Sequence, residues 1–249
     1  MRLSEGSVWS APRRDGTPLR NDVSMPIRQD QIPDPIAPAL RSAFDRTVTA
    51  DRWRTYQIAA GFDEDRAHRL YLWNAAVGQG FHFPLQAVEV ALRNVIHQAL
   101  TTNYGPDWWE ASNFRAVVKR APQDDIQKAV RRYRRKYGTD PTTAQIVASL
   151  SLGFWIILLA RDYNVSLWND HARTTFPHLS AEETMSAVSQ TGRTIQDLRN
   201  RIFHQEPLIG RNLTADYAAI LRMLGWICQD TRAWVRRYSS VPRVIRMRP

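Results

Sequence analysis

Cysteine, lysine and long apolar runs are all scarce in this chain of 249 residues. The single cysteine, Cys228, excludes a disulfide within the chain, as is typical of proteins in a reducing cytoplasm. The longest apolar run, 154–160, is far shorter than the ~20 residues that a membrane helix requires. The first residues also lack the apolar core of a secretory signal. We therefore expect a cytoplasmic protein that does not associate with a membrane.

The sequence also lacks the patterns of common cofactor and metal sites. Its 11 glycines are scattered, and they form neither a phosphate-binding loop nor a nucleophile elbow. The six histidines and the one cysteine have no spacing that suits a structural zinc site. We therefore expect no cofactor and no metal.

Positive charge is what the chain has in excess. It contains 34 Lys+Arg against 24 Asp+Glu, a net charge of +10, and nearly all of its cations are arginines. A balance of this size and sign favours a polyanionic partner, with nucleic acid as the first candidate. The arginine bias has two explanations that the sequence leaves open. One is bidentate recognition of phosphate, and the other is the codon usage of a G+C-rich genome.

Helical periodicity follows a proline-rich start. Residues 1–35 are predicted to be a disordered or extended leader, 36–238 a helical domain, and 239–249 a basic tail. The tail is either a flexible arm that contacts RNA or only a soluble terminus. No run shows the alternation of a strand, so the fold is predicted to be all-α. The predicted helices cover about 39–46, 49–60, 63–79, 84–103, 123–137, 142–161, 181–204 and 214–238.

Six tryptophans lie at helical spacings and are predicted to be core residues rather than platforms for bases. They are Trp53, Trp73, Trp155, Trp168, Trp226 and Trp234.

A strongly basic segment covers 128–137. As a helix it carries charge around most of its circumference and leaves a narrow apolar stripe of Val130, Tyr133 and Tyr137. Such a segment is either a solvated helix face or a surface that follows phosphates, with tyrosines for base stacking. The candidate RNA-binding residues are Lys128, Arg131, Arg132, Arg134, Arg135 and Lys136.

An arginine, an asparagine and a histidine occur together in the predicted helix 84–103. Glu89, Arg93 and His97 step by four along the edge of its apolar face, and Asn94 follows Arg93. The pattern is explained either by an ordinary ladder of ion pairs beside a core helix or by a functional stripe.

The same three residue types recur as Arg199, Asn200 and His204. A guanidinium can hold a phosphate through two parallel hydrogen bonds, and an imidazole can move a proton near neutral pH. Arg199 and His204 are about 140° apart on an ideal helix. They can act together if the helix ends before His204, helped by Pro207, or if two copies face each other in a symmetric dimer. The structural alternative is a helix end at which His204 binds a free carbonyl.

These elements resemble the signature of the HEPN superfamily, and the wider chain resembles its Abi-like branch, named for abortive phage infection. The resemblance covers about 48–238 and rests on three segments in order: 88–97, Ser151-Leu152-Gly153-Phe154-Trp155, and Arg-Asn-x-x-x-His-x-Glu-Pro at 199–207. It implies an all-α, HEPN-like helical bundle with additional helices. Active members of the superfamily dimerise and cleave RNA without a metal.

The resemblance also implies site residues and a biological role. The expected catalytic residues are Arg199, Asn200 and His204, and a possible second element consists of Glu89, Arg93, Asn94 and His97. The expected protein is a homodimeric endoribonuclease that acts as a toxin in phage defence, with RNA as its substrate and an antitoxin as a possible partner. The alternative is a non-catalytic helical module that binds RNA or another protein, in which these residues are structural.

Overall fold

Helices make up the regular structure of the described residues. The structure is a computed structural model that describes Phe44, residues 46–169 and residues 171–249. Across these residues there is no strand, which confirms the all-α fold class. The leader predicted for 1–35 and most of the helix predicted for 39–46 lie outside them. No described helix combines the length and the apolar character needed to cross a membrane.

Eleven α-helices are named here in chain order. They are α1 Ala50–Ala59, α2 Glu64–Tyr104, α3 Ser112–Val117, α4 Arg120–Tyr137, α5 Thr143–Ser149, α6 Leu152–Ile157, α7 Ala172–Thr175, α8 Met185–Phe203, α9 Leu213–Ile227, α10 Gln229–Tyr238 and α11 Val241–Arg246. A 3₁₀ turn, Arg161–Tyr163, and a π-helical turn, Asn164–Trp168, connect α6 to α7.

The organising element is α2, a single helix of 41 residues and about 60 Å. It begins after Asp63, whose side chain accepts a hydrogen bond from the backbone N–H of Arg66 at 2.9 Å. It ends before Gly105, which has a φ of 90°. The sequence predicts two helices here, 63–79 and 84–103, and that prediction is wrong.

Pro84 lies inside α2, where a proline normally interrupts a helix. It has no N–H to donate, and its ring crowds the carbonyl of Gly80, at a cost of ~3 kcal/mol. Phe81, Leu85 and Val88 are buried on the same face as Pro84. Burial of one large apolar side chain contributes roughly 1.5–3 kcal/mol. The packing of this face therefore offsets the cost of the proline and keeps the helix continuous.

The other helices enclose a core around α2. Helices α1, α6, α7, α8, α9, α10 and α11 pack against it, and α9 also packs against α8 and α10. Five of the six tryptophans predicted to be core residues are buried. Trp234 is the exception, because it lies on α10 with 50% of its surface exposed. The prediction is therefore wrong for that residue.

Two glycines let neighbouring helices approach the backbone of α2. A Cβ added at Gly78 would lie 3.6 Å from Cγ2 of Ile202, which belongs to α8. A Cβ added at Gly80 would lie 3.4 Å from Oγ of Ser240 and 3.7 Å from Cγ2 of Val244. Helices α8 and α11 therefore contact α2 where it lacks side chains.

Two of the predicted helices are divided in the structure. The helix predicted for 142–161 is split into α5 and α6, because the hydroxyl of Ser151 accepts a hydrogen bond from the N–H of Phe154 and starts a new helix. The helix predicted for 214–238 is split into α9 and α10 at Cys228, whose backbone is extended. The apolar pattern continues through both breaks, so periodicity alone did not indicate them.

The last residues of the chain belong to the packed structure. Val241 and Val244 of α11 are buried, and Nε1 of Trp73 donates a hydrogen bond to the carbonyl of Val244 at 2.8 Å. These contacts fix α11 against α2, where the sequence left open a flexible arm.

Candidate functional site

A cleft between α2 and α8 brings the two arginine-containing segments together. It has a volume of about 250 Å³. Its lining residues are His82, Leu85, Gln86, Glu89, Val90 and Arg93 from α2, and Arg199 and Phe203 from α8. Two arginines that lie far apart in the sequence therefore contribute to one site.

The two guanidiniums of this cleft have no acidic partner among the described residues. Both arginines are half-buried, and the Nε atoms of Arg93 and Arg199 are shielded from solvent without a hydrogen-bond partner. By contrast, Arg120, Arg134, Arg201 and Arg211 each form an ion pair with a carboxylate of the described chain. A buried donor that stays unsatisfied costs about 1–3 kcal/mol, so an anion entering the cleft would relieve that cost at both arginines.

Phe203 fixes the orientation of one guanidinium. The Cζ atom of Arg199 lies 4.1 Å from the centroid of the Phe203 ring, which stacks beneath it. Arg199 and Phe203 are one helical turn apart on α8, so the helix itself sets this contact. A guanidinium held over a ring face keeps its N–H groups free to bind a phosphate, because the ring accepts none of them in a conventional hydrogen bond.

Glu89 is the acidic residue among the residues that line the cleft. The sequence allows it to pair with Arg93 four residues later, but no such ion pair is present between these two described side chains. Glu89 therefore remains available to accept a hydrogen bond from a sugar hydroxyl or from a protonated group.

His82 is the histidine that lines the cleft, and it is not among the site residues predicted from the sequence. Its side chain is exposed on α2 and lines the same space as Arg93 and Arg199. Along a continuous helix, His82 is rotated only about 20° from Glu89 and about 20° from Arg93. That signal was hidden because Pro84 suggested that the helix was broken between residues 79 and 84.

His204 and Asn200 lie at the end of α8. The helix stops at Phe203, and the backbone N–H of His204 donates to the carbonyl of Asn200 at 2.8 Å. The helix thus ends before His204, as one of the two sequence alternatives requires. The His204 side chain is exposed, the Asn200 side chain is half-buried, and neither of them lines the cleft. Within one chain, Arg199 and His204 do not share this cleft.

His97 forms hydrogen bonds beside the core and does not line the cleft. Its Nδ1 accepts a hydrogen bond from Nε1 of Trp108 at 3.0 Å and lies 3.4 Å from Oγ1 of Thr101. Burial lowers the pKa of the His97 imidazole below its usual value. An Nδ1 that accepts from an indole must be unprotonated, so His97 is neutral in this arrangement. Asn94 is exposed on α2 and does not line the cleft.

The basic residues predicted to contact RNA are exposed on α4. The helix buries Pro122, Ile126 and Ala129. The predicted apolar stripe of Val130, Tyr133 and Tyr137 is only partly covered. The exposed cations are Lys128, Arg131, Arg132, Arg134, Arg135 and Lys136.

Several of those cations already have partners within the chain. Lys128 lies 3.3 Å from a carboxylate oxygen of Asp125, and Arg134 pairs with Asp140. Arg132 donates to the carbonyl of Ser149 at 3.2 Å. Exposed pairs of this kind contribute little free energy, so these cations remain open to exchange with phosphates.

No group of three or more His, Cys, Asp or Glu side chains in the described part of the chain is arranged to hold a metal ion.

Comparisons with protein-family models, curated proteins and solved structures find no match to this chain. The chemistry of the cleft is therefore inferred from its own residues.

Proposed function

We propose that this protein is a metal-independent endoribonuclease of the HEPN type, and that the cleft between α2 and α8 binds the phosphate at which RNA is cut. The convergence of Arg93 and Arg199 carries this proposal. Both guanidiniums line one cleft, neither pairs with a carboxylate of the described chain, and both keep a shielded Nε–H unsatisfied. A phosphate diester supplies the acceptor oxygens that these donors lack.

The proposed reaction needs two proton transfers and stabilisation of charge on a phosphate. The 2′-oxygen attacks phosphorus and forms a new P–O bond, while the bond from phosphorus to the 5′-oxygen breaks. A base takes the 2′-hydroxyl proton, and an acid donates a proton to the departing 5′-oxygen. The products are a 2′,3′-cyclic phosphate and a 5′-hydroxyl.

The residues of the cleft suit these tasks. Arg93 and Arg199 oppose the negative charge that grows on the phosphate oxygens. His82 supplies one imidazole from within the cleft. The second imidazole is His204 of another copy, because His204 of the same chain lies outside the cleft and His97 is engaged with Trp108. This arrangement requires the homodimer that the HEPN resemblance implies.

The biological role follows from the resemblance to Abi-like proteins alone. It is that of a toxin in phage defence, with an antitoxin as the partner that would hold it in check. The net charge of +10 supports contact with RNA and does not bear on this role.

A second candidate is a non-catalytic module that binds RNA through the same arginines. It is favoured by one observation, the position of His204 outside the cleft that Arg93 and Arg199 share. In that case the cleft binds a phosphate without cleaving next to it.

Cleavage of a defined RNA in the presence of a chelator tests the proposal. A single-stranded oligonucleotide incubated with the full-length protein and EDTA should yield fragments that end in a 2′,3′-cyclic phosphate. Replacing the 2′-hydroxyl at the cleavage site with hydrogen should abolish the reaction, because the nucleophile is then missing. Arg93→Ala and Arg199→Ala should each lower the rate by about 10²–10³, the usual effect of removing one charge-stabilising group.

Arg193→Ala is the matched control, because Arg193 is exposed on α8 and does not line the cleft. It should cleave at the wild-type rate. Binding of RNA without cleavage by the wild type would favour the second candidate, and full inhibition by EDTA would exclude a metal-independent reaction.

A further inference from the structure

A second cavity lies between α4 and the segment that includes α3. It has a volume of about 490 Å³, within the range of small-molecule sites. It is distinct from the cleft between α2 and α8, because the two share no lining residue. Its walls combine apolar surface, cations and side-chain amides.

The apolar part of the cavity is held rigidly. Trp109 contributes its indole, and Nε1 of that ring donates a hydrogen bond to Oγ1 of Thr143 at 3.0 Å. Ile126 and Val130 of α4 also line the cavity. A fixed aromatic ring beside aliphatic side chains gives a planar base an apolar surface to pack against.

Guanidinium groups surround this apolar part. Arg115 of α3 and Arg131 of α4 line the cavity, and neither forms an ion pair within the described residues. Arg134 also lines it and is paired with Asp140. Glu110 is the carboxylate among the lining residues. The balance of charge at the cavity therefore favours an anion.

Two glutamines supply polar atoms for recognition. The Nε2 of Gln123 donates to the carbonyls of Arg115 at 2.8 Å and Val118 at 2.6 Å, which leaves its Oε1 as a free acceptor. The Oε1 of Gln127 accepts from Arg131 at 3.5 Å, which leaves its Nε2 as a free donor. One acceptor and one donor beside an apolar wall match the edge and face of a nucleobase.

We propose that this cavity binds one nucleotide of a single-stranded RNA, with its base against Trp109 and Val130 and its phosphate at Arg115 and Arg131. The inference rests on RNA as the substrate in the proposed function, but it does not require cleavage. The exposed cations Arg135 and Lys136 continue along α4 and contact phosphates of the neighbouring nucleotides. The cavity thus anchors RNA away from the catalytic cleft.

Binding of two oligonucleotides that differ only in their bases tests this site. Both are 2′-O-methyl RNA, which cannot be cut through a 2′-hydroxyl, and one of them is abasic at every position. Fluorescence anisotropy with the full-length protein gives the ratio of their affinities. The wild type should bind the base-containing strand about tenfold more tightly, because stacking of one base contributes that much. Val130→Trp places a bulky ring in the space assigned to the base without changing the charge, so it should reduce the ratio to about one.

Two variants serve as matched controls. Val165→Trp introduces the same ring at a residue that is 85% exposed and lies outside the cavity, so it should keep the wild-type ratio. The double variant Arg135→Ala, Lys136→Ala should weaken both strands equally and also keep the ratio. Arg115→Ala with Arg131→Ala, which removes the same charge, should lower the ratio, because the base then loses the phosphate contact that positions it against Trp109.

A ratio of one in the wild type, or an unchanged ratio in Val130→Trp, would overturn this site. Either result leaves the proposed nuclease intact if the protein cleaves unmodified RNA. Conversely, a protein that never cleaves RNA but shows the expected ratios retains the nucleotide site and loses the proposed function.

Discussion

Arg199 shows how a single residue acquires a role from its immediate neighbours. Phe203 stacks against its guanidinium and remains 52% exposed, so the pair forms one wall of the cleft with the charge already oriented. An arginine that is held in one plane loses little entropy when it binds a phosphate. Arg93 lacks such a ring contact in the described structure and depends on burial along α2 for its position.

Glu89, Arg93 and His97 are spaced four residues apart on α2, but helix geometry places them against two different surroundings. Each step of four residues rotates the side chain by about 40°, so His97 is about 80° away from Glu89. Glu89 and Arg93 face the cleft, and His97 faces Trp108. Sequence spacing predicted the stripe, but it could not show where along the stripe the neighbouring surface changes from a cleft to the core.

The hydrogen bond from Trp108 to His97 predicts a pH dependence of stability. Because burial lowers the pKa of His97 in the folded protein, the unfolded chain binds the proton more readily. Neutral His97 stabilises the folded protein fully at pH values above its pKa in the unfolded chain, which is about 6.5. This contribution to the free energy of unfolding is lost as the pH falls through the lower pKa of His97 in the folded protein. His97→Asn keeps an acceptor for the indole and removes the titration, so it should flatten the dependence. Urea unfolding at several values between pH 7.5 and 5 measures the change.

His178→Asn is the control for this substitution, since His178 is exposed. It should keep the wild-type slope of unfolding free energy against pH. Identical slopes in the wild type and His97→Asn would contradict the assignment of a neutral, structural His97.

At the scale of helices, α8 ends in a Schellman motif that sets the direction of the chain after His204. The N–H of Glu206 donates to the carbonyl of Arg201 at 2.8 Å, and the N–H of Gln205 donates to the carbonyl of Ile202 at 3.1 Å. Gln205 has a φ of 60°, and its carbonyl accepts a hydrogen bond from the side chain of Arg52 on α1. The turn therefore directs the chain away from the helix axis immediately after His204.

Gln205→Gly should stabilise the protein. A residue other than glycine in the left-handed region costs about 1–2 kcal/mol, and glycine adopts it without that penalty. We expect a gain of about 1 kcal/mol, because the flexibility of glycine in the unfolded chain offsets part of the relief. Chemical denaturation of the two proteins measures the difference.

Gln190→Gly makes the same substitution at an exposed position inside α8. There it should destabilise by about 1 kcal/mol, since glycine is a poor helix former. Destabilisation by both changes would show that Gln205 is not strained.

Helix ends were predictable where a local signal marks them, and they were missed where tertiary packing decides. Gly138, with a φ of 72°, ends α4 as the sequence indicated, and Gly105 ends α2. Pro84 is a strong local signal that buried neighbours override. The breaks at Ser151, where a side-chain cap starts α6, and at Cys228, where the backbone is extended, lie within apolar patterns that continue across them, so periodicity does not indicate either break.

At the scale of the whole molecule, the cleft depends on contacts between distant segments. Helix α2 carries His82, Glu89 and Arg93, and α8 carries Arg199 and contacts α2 near Gly78. The sequence predicted both arginine segments but could not predict that they share a cleft. It also could not predict that His82 joins them or that His204 does not.

The proposed dimer makes a prediction about mixed assemblies. If each active site takes Arg199 from one copy and His204 from the other, Arg199→Ala and His204→Ala chains are each inactive alone but complement each other. In a mixed dimer one site lacks both residues and the other has both. Random assembly makes half of the dimers mixed, so co-expressed variants should recover about one quarter of the wild-type rate.

The control mixture, Arg93→Ala with Arg199→Ala, should stay inactive, because every cleft in it lacks one of the two arginines that a single chain supplies. An inactive first mixture alongside an active wild type would mean that His204 does not act across the dimer, and that the proton transfers belong to His82 and other groups of one chain.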